Sequence, residues 1–178
     1  MLDRPTGKLL ANAPPFVSVP PGDGPRHFAF HPGGALLYSL QEEASTLLAY
    51  RYDATTGSLT PQRMLSTLPT GFVGTSFASE IGVSPDGSLV FAANRLHDTV
   101  AIFGVDRFGM LSPLGEFWTQ GDYPRSFTVD PSGTFMVVCS HRSDSLTTYR
   151  ITEGARGFGS PTGYYAPVGS PASVVFLT

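Results

Sequence analysis

Apolar residues along this chain fall in short runs, each closed by a turn bearing proline or glycine. "RHFAF", "ALLYSL" and "TLLAYRY" lie in the first third, "SLVFAA" and "TVAIFGV" in the middle, and "TFMVVC" further on. Runs this short between turn residues predict β-strands. One stretch reads both ways. "ALLYSLQEEASTLLAYRY", residues 35–52, has no Gly or Pro, and Leu36, Leu40, Ala44, Leu47 and Leu48 approximate helical spacing. Its counterparts, "SLVFAANRLHDTVAIFGV" and "TFMVVCSHRSDSLTTYRI", are rich in β-branched and aromatic residues that suit a pleated surface. Equivalent segments share a structure, so strand is the reading.

The counterparts exist because the chain repeats. Copies begin at Pro25, Ser79 and Pro124, and a partial copy, "PASVVFLT", begins at Pro171. The period is roughly 50 residues, near that of propeller blades. Each full copy runs a short strand into a Pro-Gly turn ("HPGG", "SPDG", "DPSG"), where proline presets the first dihedral and glycine relieves the exit. A second strand follows, then a polar corner and a third. A wider turn ending in glycine ("DATTG", "DRFG", "TEGARG") opens a fourth, more polar strand. Four antiparallel strands per repeat make a β-propeller blade, so the expected class is all-β.

The N-terminal "DRPTGKLL" matches "DATTGSLT", so the first residues read as the outer strand of one blade and the last as the inner strand of another. Residues 1–178 are thus one partial domain, three full blades with partial strands at each end. Propellers avoid open edges by closing a ring of about 4–8 blades. The expectation is the C-terminal half of a longer propeller; self-association through the open blade edges is the alternative.

Composition agrees. Of 178 residues only 14% are charged, 12% are aromatic, and there are 20 glycines and 16 prolines. That mixture suits many short strands joined by tight turns. A net charge of −3 without a Lys/Arg run argues against nucleic acid as a partner. No apolar run approaches the ~20 residues of a membrane span, and "MLDRPTGKLL" lacks an apolar signal core, so the expected location is cytoplasmic. Cys139 is the lone cysteine and reads as a small apolar strand residue.

Candidate chemistry sits where inner strands begin. Aligned by these starts, one position carries Arg26, Glu80, Arg125 and then Ala172, with His27 directly after Arg26. A packing position would be apolar in each copy; this one carries a cation, an anion and a cation. In a ring, one repeat position recurs around the axis at one height, so three charges and an imidazole converge at a channel mouth and suit a small anionic ligand. Gln41-Glu42 and Asn94-Arg95 close second strands and are placed at the rim or at surface corners. His31 reads as a turn cap, while His97 and His141 read as exposed corner residues. No serine stands in G-x-S-x-G, and no His/Cys spacing calls for zinc. No cofactor is expected.

"GPRHFAFHPGG", "SEIGVSPDGSLVFAANRLHDTVAIFGVD", "GDYPRSFTVDPSG" and "PVGSPASVVFL", in register from about residue 22 onward, resemble the seven-bladed propeller lactonases, a family that includes 6-phosphogluconolactonases and carboxymuconate cyclases. The resemblance implies half of a seven-bladed ring and a cleft using Arg26, His27, Glu80 and Arg125, with Glu42 and Arg95 at substrate-binding positions. Ser140-His141 departs from the Asn-Gln frequent in the family. The implied activity is hydrolysis of a sugar lactone such as 6-phosphogluconolactone. His27 would act as general base, the arginines would hold the oxyanion or phosphate, and Glu80 would orient His27 or shuttle a proton. Cycloisomerisation of a carboxymuconate uses the same residue types. A non-catalytic propeller that binds proteins is the reading from another class, though the WD-type signatures of such scaffolds do not recur here.

Overall fold

A computed structural model describes residues 2–151 and 159–177. Fourteen strands and no helix make up the described part. A hairpin, β1 (Leu2–Asp3) with β2 (Lys8–Leu9), precedes three four-stranded meanders. The first blade is β3 (Pro25–Phe30), β4 (Leu36–Gln41), β5 (Thr46–Asp53) and β6 (Ser58–Ser66). The second is β7 (Phe77–Val83), β8 (Leu89–Arg95), β9 (Thr99–Val105) and β10 (Leu111–Trp118). The third is β11 (Pro124–Val129), β12 (Phe135–Ser140), β13 (Ser145–Arg150) and β14 (Ser160–Pro167). Every neighbouring pair is antiparallel. The stretch that also read as helix is the hairpin β4–β5, in which Leu40 pairs with Leu47 and Tyr38 with Ala49.

The turns form as their residues dictate. Gly34, Gly87 and Gly133 each return an amide to the carbonyl three residues back, on His31, Ser84 and Asp130, at 2.9, 2.8 and 2.9 Å. All three glycines have positive φ, 73°, 76° and 70°, which side chains resist. Wider turns close alike: the Gly7 amide reaches Asp3 O and the Gly57 amide Asp53 O, each at 2.7 Å. The β1–β2 hairpin therefore closes in the same way as the turn between β5 and β6. "TEGARG" lies outside the described residues. The final copy, expected as an inner strand, makes no ladder from Pro171 to Leu177 among the described residues.

Packing is blade on blade. Tyr38, Leu40, Leu47 and Ala49 of the first blade interlock with Ile81, Val90, Ala92 and Phe103 of the second. The second blade's opposite face, Phe91, Val100, Ile102 and Phe117, meets Phe127, Met136, Val138 and Tyr149 of the third. Covered on both sides, β8 and β9 read as continuous apolar runs, as strands of a doubly covered sheet do. The first blade's leading face is different. Phe28 and Phe30 are 64% and 47% exposed, whereas Phe127, at the third blade's equivalent of Phe28, is 5% exposed against Phe91. Strands β3, β7 and β11 stand side by side, so their starts share one opening.

Candidate active site

A register shift at each inner-strand start creates the site. In β3, Pro25 pairs with Gln41 and His27 with Leu40, leaving Arg26 extra. In β11, Pro124 pairs with Ser140 and Ser126 with Cys139, leaving Arg125 extra. In β7, Ala78 pairs with Asn94 and Ile81 with Ala92, so Ser79 and Glu80 share the place opposite Ala93. Such bulges bend a strand and re-aim its side chains, and they favour functional rims.

These registers correct the sequence alignment. Glu80 is not the counterpart of Arg26 and Arg125. Counting from the paired residues, Arg26, Ser79 and Arg125 occupy one position, and His27, Glu80 and Ser126 the next. Two layers of contacts follow. In one, Arg26 Nε donates to Ser79 O at 2.9 Å, and Ser79 Oγ donates to Pro124 O at 2.6 Å. In the other, His27 Nδ1 lies 2.7 Å from Glu80 Oε1, and Ser126 Oγ donates to Glu80 Oε2 at 3.0 Å. The Ile81 amide also donates to Glu80 Oε1, at 3.1 Å. Each layer joins all three blades at one end of the shared axis. A groove of about 310 Å³ opens beside Glu80 and Ser126, and Ser173 of the terminal segment lines its far side.

The predicted cations have unequal surroundings. Arg26 Nη1 donates to Glu42 Oε2 at 3.2 Å, and Arg95 Nη2 donates to Glu42 Oε1. Burial works to raise the Glu42 carboxyl, but the Arg95 hydrogen bond and the charges of Arg26 and Arg95 outweigh it and hold the group below its ordinary range. Arg95, with only 5% of its side chain exposed, also donates to Phe77 O, Ala78 O and Tyr123 Oη and stacks over the Tyr123 ring at 5.1 Å. Arg26, Glu42 and Arg95 thus form a closed clamp between the first two blades. Arg125 is half-buried and has no hydrogen-bond or ion-pair partner among the described residues.

Other polar residues resolve as structure. Asn94, fully buried, accepts from Thr67 Oγ1 at 2.6 Å and donates to Thr67 O at 2.8 Å, tying down the segment between two blades. His31 accepts from the Gly33 amide at 2.9 Å, capping its turn as expected, and its Nε2 reaches Gly87 O of the next blade. His97 and His141 were expected on open corners, yet both are half-buried: His97 sits against Phe72 and pairs with Glu116 at 3.0 Å, and His141 packs near Tyr123. Cys139 is buried, and burial together with the Glu80 charge pushes its thiol up to about 11. A cavity of about 600 Å³ lies at the far strand ends, where the Asp86 carboxylate is taken up by Ser84 and Ser88. Sequence reasoning missed Ser79, Tyr123 and Ser126. Six residues precede the turn from Pro25 and from Pro124, and the same count back from Ser84 lands on Ala78 rather than Ser79.

Antiparallel four-stranded blades that share an axis, with polar side chains of their innermost strands gathered at one end, define a β-propeller with a channel-mouth site. The chain belongs to the lactonase family of seven-bladed β-propellers, whose profile matches residues 1–176. It is 35% identical over 133 residues to 6-phosphogluconolactonase of Bacillus subtilis, covering 74% of this chain and 38% of that protein. Among solved structures, the periplasmic gluconolactonase of Pseudomonas aeruginosa superposes with a TM-score of 0.84 at 30% identity, over 91% of this chain and 45% of that one. A protein from Lactobacillus plantarum gives 0.85 at 31%, over 91% and 47%. The chain thus spans less than half the length of these relatives.

Proposed function

We propose that the protein hydrolyses a sugar lactone, 6-phosphogluconolactone being the substrate of choice, within a ring that further blades complete. The observation carrying this reading is the 2.7 Å contact between His27 Nδ1 and Glu80 Oε1. A carboxylate on Nδ1 holds the proton there, so neutral His27 offers the Nε2 lone pair to a water in the channel. That water attacks the lactone carbonyl as Nε2 takes its proton. The resulting imidazolium is stabilised by Glu80. When the tetrahedral intermediate collapses, the ring oxygen leaves and takes the proton back from Nε2, giving the open-chain acid.

Arg125 is the guanidinium left to meet substrate charge, and its fork suits a phosphate or a developing oxyanion. Arg26 and Arg95 serve this chemistry indirectly, by fixing Glu42 and the seam beside His27. The names of the relatives support the substrate class, and the small anionic ligand expected at the channel is the lactone itself. The test is turnover of 6-phosphogluconolactone and of unphosphorylated gluconolactone by the intact protein. Phosphate-dependent turnover that disappears in His27→Ala supports the reading. Turnover of neither lactone, or a His27→Ala variant with undiminished rate, rejects it.

A further inference from the structure

We propose that Ser126 is a positioning residue for His27, acting through Glu80 from the neighbouring blade. The Glu80 carboxylate is held on both oxygens. Oε1 faces His27 Nδ1 at 2.7 Å and accepts from the Ile81 amide at 3.1 Å, while Oε2 accepts from Ser126 Oγ at 3.0 Å. Ser126 Oγ is the hydroxyl donor to Oε2 among the described residues, and Ser126 itself is 3% exposed, so its hydroxyl is held in place by packing. The carboxylate plane, and with it the direction in which Oε1 receives the Nδ1 proton, is therefore set by a hydroxyl on the third blade. A carboxylate held only through Oε1 turns more freely about its terminal bond, which weakens its hold on the Nδ1 proton and shifts the tautomer balance of the histidine facing it.

The order of contacts excludes the more familiar use of a serine. In a nucleophilic triad the histidine lies between serine and carboxylate and takes the serine's proton. Here the carboxylate lies between. His27 makes no hydrogen bond to Ser126 Oγ, which donates instead to Glu80, so Ser126 orients and does not attack. The bulges of β3, β7 and β11 are what place the three side chains in this order.

The effect on turnover rests on the proposed lactone hydrolysis; the effect on the imidazole does not. Nitrogen NMR of the intact protein labelled at histidine reads the tautomer of neutral His27 directly. In the wild type the proton resides on Nδ1. Ser126→Ala shifts population toward the Nε2–H form and lowers kcat about tenfold with KM unchanged, the scale of one charge-assisted hydrogen bond. Ser126→Thr restores both. Should the alanine variant fold poorly, Ser126→Val and Ser126→Thr form a shape-matched pair that differs in the hydroxyl, and the same contrast is expected between them. An unchanged His27 tautomer in folded Ser126→Ala or Ser126→Val overturns the positioning role whatever the activity. A shifted tautomer in a protein that turns over no lactone upholds the positioning role and rejects the function.

Discussion

Arg26 and Arg125 occupy the same position in two blades, each the extra residue of a bulge and each preceded by proline. Arg26 is neutralised; Arg125 is not. The difference lies one residue past the second strand. Gln41 pairs with Pro25 and Ser140 with Pro124, so the corner residues that follow are Glu42 in the first blade and His141 in the third. Glu42 captures Arg26 and Arg95 together. His141 offers no carboxylate, and Arg125 remains available. The repeat thus supplies a guanidinium twice, and its corner partner decides whether it is taken up between blades or left unpaired among the described residues.

The largest effect is expected at His27, the proposed base. His27→Ala should lower kcat by about 10²–10⁴ while leaving the melting temperature within a degree or two, as read by steady-state kinetics and thermal unfolding. Arg125→Ala comes next: kcat/KM for the phosphorylated lactone should fall at least tenfold with stability unchanged, because no partner is left unpaired. A matching loss on an uncharged lactone would assign Arg125 to the oxyanion instead of the phosphate. His141→Glu would give the third blade the corner of the first, and several-fold weaker binding of the anionic substrate is expected as the new carboxylate competes for Arg125.

Arg26→Ala should act on stability instead. Loss of its bonds to Glu42 and Ser79 O should cost about 1–2 kcal/mol, measurable as a lowered denaturant midpoint, with KM little changed. The smallest effect concerns acid. Because the folded Glu42 group titrates below its ordinary 4.5, its contribution to stability is complete above that value and is lost as pH falls through the folded value. Asp53, lowered from 3.8 to about 2 first by the Thr55 hydroxyl, behaves likewise further down. Melting temperature should therefore decline as pH falls from about 4.5 toward 2, and Glu42→Gln should remove the upper part of that decline. An identical profile in the variant would show that Glu42 carries no folding linkage.

Blades were legible because a four-strand unit repeats its punctuation. The Pro-Gly turns fix where first strands end, and covered faces must be apolar, so Tyr38, Phe91 and Phe127 announce themselves. Starting the second copy at "SE" instead of one residue earlier, at Ala78, placed Glu80 beside the arginines when it belongs with His27 and Ser126; all three inner strands carry the same one-residue bulge, so the count back from the Pro-Gly turn keeps them in register. The convergence of His27 and Glu80 was still readable, since both sit within a residue of the shift. That Arg26 and Arg95 would close on one glutamate was not, because ion pairing across a seam depends on how two blades face each other. Ser126 was missed because serine at a strand start is ordinary turn-flanking chemistry until its neighbour across the axis is known.

The most direct test of the division between the two arginines is calorimetric titration of 6-phosphogluconate, the product of the proposed reaction, into the intact wild type, Arg26→Ala and Arg125→Ala. The account predicts at least a tenfold loss of affinity in Arg125→Ala and a change within about twofold in Arg26→Ala. Equal losses in both variants, or a loss confined to Arg26→Ala, would contradict it.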